Sequence, residues 1–133
     1  MSTILSEIER LYRSHPRADV TSILTNILLN LLAAQHVLLD TFVILHAGFV
    51  AALYRVVGLD FGAHLVQTLV ERFDALYGNE RKDAVNLVLF LSELYTFGVV
   101  GPALLFDFVR MFLQRLDEVD TEMLLTVVQS LVP

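Results

Sequence analysis

The chain contains no cysteine and no tryptophan, and only three prolines and six glycines among its 133 residues. Without cysteine there is no disulfide framework, no thiolate zinc site and no thiol nucleophile, which fits an intracellular setting. The scarcity of proline and glycine, beside an apolar share of 56%, excludes collagen-like repeats, low complexity and disorder. Charge is sparse too: charged residues make up 18%, with nine Lys and Arg against fifteen Asp and Glu, a net charge of −6. That sign argues against broad non-specific attraction to nucleic acid or anionic lipid and leaves room only for a local basic patch. What the chain has in abundance is leucine, 26 residues of it, in one domain's worth of sequence.

A mean hydropathy of +0.64 makes a membrane-associated helical bundle the first alternative. Residues 20–39 and 41–54 carry no charge, and Asp40 alone interrupts them. Yet Thr21, Ser22, Thr25, Asn26, Asn30, Gln35 and His36 fall in the first stretch. Val20, Ile23, Leu24, Ile27, Leu28, Leu31 and Leu32 recur there at the spacing of an amphipathic helix, so a lipid-immersed segment is not expected. The first ten residues include Glu7 and Glu9 and have no apolar signal core.

Read for period, the chain falls into about seven helices and nothing that alternates like a strand. The first covers 3–14, with Ile4, Leu5, Ile8, Leu11 and Tyr12 inward, and stops because His15 precedes Pro16. The second covers 19–36 with Asp19 as its cap. The third, 40–57, carries Phe42, Val43, Phe49, Val50, Leu53, Tyr54 and Val57, so little polar face remains that it is expected to be the most enclosed. Gly58 and Asp60 punctuate the start of a fourth, 60–77, whose stripe is Phe61, Leu65, Val66, Leu69, Val70, Phe73, Leu76 and Tyr77. Gly78 and Asn79 read as a turn. A fifth, 80–97, buries Ala84, Leu87, Val88, Leu91, Leu94 and Tyr95. Pro102 opens a sixth, with Leu105, Phe108, Val109, Phe112 and Leu116 inward. The seventh begins near 120 and turns Leu124, Val127, Val128 and Leu131 inward.

Leu24, Leu65 and Leu105 occupy like places in helices two, four and six, about 40 residues apart. Helix pairs at that period, joined by short turns, predict an all-α, right-handed α-solenoid of about three HEAT-like pairs. One pair cannot cover its own apolar face, so neighbours share a continuous core. The last helix runs apolar into Leu131, Val132 and Pro133 with no polar cap behind it. Residues 1–133 are therefore expected to be a partial repeat domain, either a fragment of a longer protein or one that another chain completes.

Chemistry is hard to find in these residues. His15, His36, His46 and His64 form no i, i+4 pair, so a metal site is not expected. His46 reads as a core imidazole with one satisfied hydrogen bond. Ser92-Glu93 lies mid-helix, without the strand-turn-helix elbow that exposes a nucleophile. Asp117, Glu118, Asp120 and Glu122 lack the glycine and alternating ligands of a calcium loop and read as acids favoured near a helix N-terminus. Gly58 and Gly62 lack the following Lys-Ser or Lys-Thr of a phosphate cradle. No cofactor, small-molecule substrate or catalytic role is expected.

Three stretches are recognisable: SEIERLYRSHPRADVTSILTNILLNLL, HVLLDTFVILHAGFVAALYRVVG and NLVLFLSELYTFGVVGPALLFDFVRMFL. Together they resemble the nucleolar MIF4G-domain protein family, whose HEAT-type domain is similar to the middle domain of translation initiation factor 4G. The likeness covers nearly the whole chain, and residues 86–108 carry it most specifically. Leu94, Tyr95, Phe97 and Phe106 carry over as core residues. The resemblance implies a nucleolar scaffold in small-subunit ribosome assembly and pre-rRNA processing, binding and stimulating a DEAD-box helicase of the initiation factor 4A type, with pre-ribosomal proteins and pre-rRNA as further partners. A scaffold in splicing or translation initiation is the alternative within the same fold. Candidate partner contacts are Arg10, Arg13 and Arg17, where Pro16 breaks the shared face, and the turn Asn79, Glu80, Arg81 and Lys82. The turn is favoured because the turns of a solenoid line one edge together.

Overall fold

The computed structural model describes residues 2–33, 40–79 and 81–132, which form helices and no strand. The helices are α1 (Ser2–Ser14), α2 (Arg17–Ala33), α3 (Asp40–Val57), α4 (Leu59–Asn79), α5 (Arg81–Thr96), α6 (Pro102–Arg115) and α7 (Glu118–Leu131).

Local chemistry sets most of the boundaries. Gly58 and Gly98 hold positive φ, +125° and +83°, a region that an L side chain enters only with strain. At the end of α5 the Gly98 N–H donates to Tyr95 O at 3.0 Å and the Val99 N–H to Leu94 O at 2.9 Å, a paired closure that satisfies the last free carbonyls. Pro102 opens α6 at a position where its missing N–H costs nothing. Asp117 caps α7 by accepting from the Asp120 N–H at 2.9 Å.

Several ends differ from the expected ones. The second helix starts at Arg17, because the Pro16 carbonyl accepts from the Val20 N–H at 3.2 Å and begins the ladder itself. Asp19 therefore sits inside the first turn. The fourth starts at Leu59, and it runs through Gly78 to Asn79, since Gly78 does not take the positive φ that would turn the chain. The seventh begins at Glu118, two residues before the expected start, where Asp117 supplies the cap. The expected end of the second helix, at 36, lies outside the described residues, as do Gln35 and His36.

Two layers result. Helices α3, α5 and α7 pack side by side; α2 packs on α4, and α4 meets α6 through Phe73, whose ring lies edge-on to Phe108 at 4.9 Å. The layers pack on one another through α4 on α5 and α3, α6 on α7, and α2 on α5, while α1 lies against α2 and α3. The layer interior holds Phe61, Phe73, Phe90, Phe112 and a run of leucines with no solvent exposure. This is the expected HEAT-like solenoid, built from neighbours that cover each other's apolar flanks.

Which helix is most enclosed differs from expectation. It is α5, which touches α2, α3, α4 and α7 and buries Phe90 and Ser92 beside the expected Leu87, Leu91 and Leu94. Its place in the middle of its layer gives it neighbours on both sides, whereas α3 leaves Ile44, Leu45 and Val56 exposed. Within α2 the inward face is rotated: Thr21, Thr25 and Leu29 are buried, and Ile23 is 60% exposed, with Ile27 and Leu31 beside it. Ile4 and Leu11 are exposed on α1, Val128 on α7, and Phe106 on α6 at 48%, although all were expected inside. Leu116 is exposed because it is the residue after α6, turned out by its left-handed conformation at φ +50°.

Leu91 has no exposed surface at the meeting of these layers. Leu91→Ala is expected to cost roughly 2–5 kcal/mol in urea unfolding, and Leu91→Asp to abolish cooperative unfolding because nothing there can pair a buried carboxylate. A Leu91→Asp chain that melts like the parent would show that the shared core lies elsewhere.

Candidate partner-binding edges

Successive helices run back and forth, so their ends collect along two opposite edges of the stack. The first edge gathers the ends of α1, α3 and α5 with the starts of α2, α4 and α6. The second gathers the ends of α2, α4 and α6 with the starts of α3, α5 and α7. Side-chain bonds tie each edge across repeats, and their sequence separations fall near the repeat length.

On the first edge Arg17 bridges three helices. Its Nε and Nη2 donate to the two Asp60 carboxylate oxygens, each at 2.7 Å, and Nη2 also donates to Val57 O at 2.6 Å. The guanidinium lies 5.1 Å from the Tyr12 ring centroid, and Tyr12 Oη shares a 2.6 Å hydrogen bond with Thr21 Oγ1. The Arg17 bond holds the Asp60 carboxyl below its ordinary value of 3.8 and raises the guanidinium's own pKa. Burial pushes the Tyr12 hydroxyl up, partly offset by the Thr21 bond. Arg55, one repeat further along, donates to Phe97 O at 3.5 Å.

The layer formed by α2 and α4 has a similar tie. Arg72 donates to Asn30 Oδ1 at 2.5 Å and to Asn26 Oδ1 at 2.7 Å. At the second edge the Tyr77 hydroxyl donates to Asp120 Oδ1 at 2.6 Å, joining the end of α4 to the start of α7. Asp120 is fully buried, so this bond is made in a low-dielectric setting where it is strong and its loss costly. Arg115 lies 5.8 Å from the Tyr77 ring centroid and 3.9 Å from Asp117.

The two groups of candidate residues separate onto different edges. Arg10 pairs with Glu7 and Arg17 is committed to Asp60, both within the chain. Arg13, in the last turn of α1, is exposed. Asn79 ends α4 and Arg81 opens α5, which puts them and Lys82 on the second edge; their side chains, and Glu80 altogether, lie outside the described residues. Arg10 and Arg17 thus each hold a partner within the chain while remaining exposed, and Arg13 is exposed beside them. The inter-repeat role of Arg72, Asn26 and Asn30 was not visible in sequence, since two residues 42 or more apart are related only once the repeat register is known. Asp120 was read among acids favoured near a helix N-terminus, and the structure buries it against Tyr77 one repeat earlier.

His46 has the one hydrogen bond expected, Nδ1 lying 2.8 Å from Phe42 O with the two ring centroids 4.1 Å apart, but it is half-buried rather than in the core. Among the described residues no group of three or more His, Asp or Glu is placed to hold a metal ion, and no helix is long and apolar enough to cross a membrane.

A two-layer stack of helix pairs, tied at intervals of one repeat and carrying charged residues at its helix ends along both edges, is a HEAT-like solenoid of the kind that presents surfaces to macromolecules. Within that class the chain belongs to the MIF4G-domain family, which it matches over residues 1–132. Suppressor of glycerol defect protein 1 of Schizosaccharomyces pombe is 45% identical over 96% of this chain and 17% of that protein. Nucleolar MIF4G domain-containing protein 1 of Homo sapiens is 31% identical over 98% of the chain and 15% of its own length, and the Drosophila melanogaster homolog is 32% identical over 96% and 16%. The chain thus spans about a sixth of the length of the curated relatives it matches. No solved structure matches it.

Two expected outcomes test the ties. Because Asp60 is depressed in the folded state, its contribution is complete above its ordinary pKa and lost as pH falls through the lowered one. The melting gap between the parent and Asp60→Asn should therefore be constant near neutrality and close below about pH 4; a gap that widens with acid would contradict the pairing. Tyr77→Phe should lose about 1–3 kcal/mol in urea unfolding, and an unchanged midpoint would mean that Asp120 does not depend on that hydroxyl.

Proposed function

We propose that this chain is a non-catalytic scaffold that holds a DEAD-box RNA helicase of the initiation factor 4A type during small-subunit ribosome assembly in the nucleolus. The observation that carries this reading is the MIF4G match along 132 residues, on a fold whose chemistry lies in its edges and not in a pocket. The relatives named for the nucleolus support the location. The likeness of the domain to the middle domain of initiation factor 4G supports the helicase.

A rigid stack suits this task. A partner with two mobile lobes is shifted toward whichever arrangement the scaffold binds better, and a body that does not itself deform transmits more of that preference. The turn formed by Asn79, Glu80, Arg81 and Lys82 provides one contact, with Arg13 offered on the opposite edge. Pre-ribosomal proteins and pre-rRNA would meet the remaining surface.

Capture of a panel of purified DEAD-box helicases on the immobilised chain tests the proposal. An initiation factor 4A-type member should be retained and its ATPase stimulated. Arg81→Glu with Lys82→Glu should weaken retention about tenfold while leaving the melting temperature unchanged, as expected for loss of an interfacial charge contact. Retention of no helicase, or retention indifferent to that double variant, would defeat the reading or its contact surface respectively. Copurified small-subunit precursor RNA supports the ribosomal setting, whereas spliceosomal RNA or messenger RNA would favour the alternative scaffolds.

A further inference from the structure

The first edge carries an apolar cleft of about 470 Å³ between the α3–α4 corner and the connection from α5 to α6. Tyr54, Leu59, Val66, Val99, Val100 and Leu104 supply its apolar walls, and no charged residue lines it. Gly62 shapes one wall: a Cβ there would stand 2.4 Å from the Tyr54 ring, so only glycine lets that ring lie down against α4. Leu59 is 73% exposed at the mouth, the most exposed large apolar side chain among the described residues.

The charges around the mouth select its occupant. Arg55 reaches Phe97 O beside the cleft, and among the described residues no carboxylate pairs with it. The nearby carboxylate, Asp60, is already engaged by both nitrogens of Arg17. The first turn of α6, which borders the cleft, has no acidic residue and no side-chain cap, so its amide dipoles add to the same sign. The other grooves differ. Asp19 lines the one between α1 and α2, Asp74 and Asp107 the one between α4 and α6, and Glu93 the one crossing α5 and α7. The cleft also lacks the convergent polar groups that orient a small molecule.

We propose that this cleft is a docking site for a linear segment of a partner protein, in which one or two large apolar side chains enter between Tyr54, Leu59 and Val100 while a neighbouring acidic residue meets Arg55. The acidic flank lies against the one cation of the mouth that has only a carbonyl partner, and the apolar anchor covers Leu59. This site is separate from the turn assigned to the helicase and does not depend on that assignment.

The test is selection of a phage-displayed library of random 16-residue peptides on the 133-residue chain, followed by fluorescence anisotropy with the enriched peptides. Enriched sequences should combine Leu, Phe, Ile or Met with Asp or Glu within about four positions. Leu59→Glu should weaken binding about tenfold or more, as for loss of a central anchor, and Arg55→Glu should weaken it several-fold, by an amount that shrinks at high salt. Leu59 is exposed and makes no tie, so its variant should melt like the parent, whereas Arg55→Glu also gives up the long bond to Phe97 O and should stay folded with a slightly lower melting temperature. Ile27→Glu, in the groove beside α1, should leave affinity unchanged. Enrichment of basic peptides, no enrichment, or peptides that bind Leu59→Glu as tightly as the parent would each overturn the proposal.

Discussion

A helix whose apolar surface is wider than one neighbour can cover has to be clasped from several sides, and α5 is such a helix. It contacts α2, α3, α4 and α7, and Leu87, Phe90, Leu91 and Leu94 reach full burial only because all four are present. Every other feature of the stack follows from that sharing. The outer helices must line up to present their flanks, the turns must be short enough to keep them in step, and the ends must fall in two rows. Phe73 extends the same logic outward, with rings of Tyr77, Phe108 and Phe112 all within 6.0 Å of its centroid.

Hydrophobic burial alone does not set the register of one pair on the next, because greasy flanks slide. The polar ties do. Arg17 to Asp60, Arg72 to Asn30, Arg55 to Phe97 O and Tyr77 to Asp120 each join residues 42 or 43 apart. A slip by one helical turn would break all of them and strand a buried carboxylate. Stability and shape are therefore assigned to different groups, with the apolar layer holding the pairs together and the charged side chains fixing their offset.

That division leaves the two edges free to differ. The first edge holds Arg13, Arg17 and Arg55 against Asp19 and Asp60, while the second brings Arg81, Lys82 and Arg115 to the same side as Asp117 and Glu118, with Asp120 buried behind them. Both edges thus carry charges of both signs, and the net charge of −6 belongs to neither edge alone.

The number and type of elements were legible in the residues because a 3.6-residue period and glycine or proline punctuation act locally; Pro102 and Gly58 mark their boundaries, whereas Gly78 lies inside α4. The 40-residue recurrence likewise announced a stack, and the quoted stretches announced the family. Facing was another matter. Phe106 and Ile23 satisfy the apolar pattern yet point to solvent, and Thr25 and Asp120 break it yet are buried. A helix three to four residues per turn offers several apolar faces when more than half of its residues are apolar, and only the position of the neighbours chooses among them. The cleft beside Tyr54 belongs to that second category, since it is bounded by residues from three helices and a connection. Sequence alone determined the helices, their period and their kinship, through interactions between residues close in the chain. Tertiary structure decided which flank is covered, which arginines are spent as ties and where an opening remains, because those depend on contacts between residues some forty positions apart.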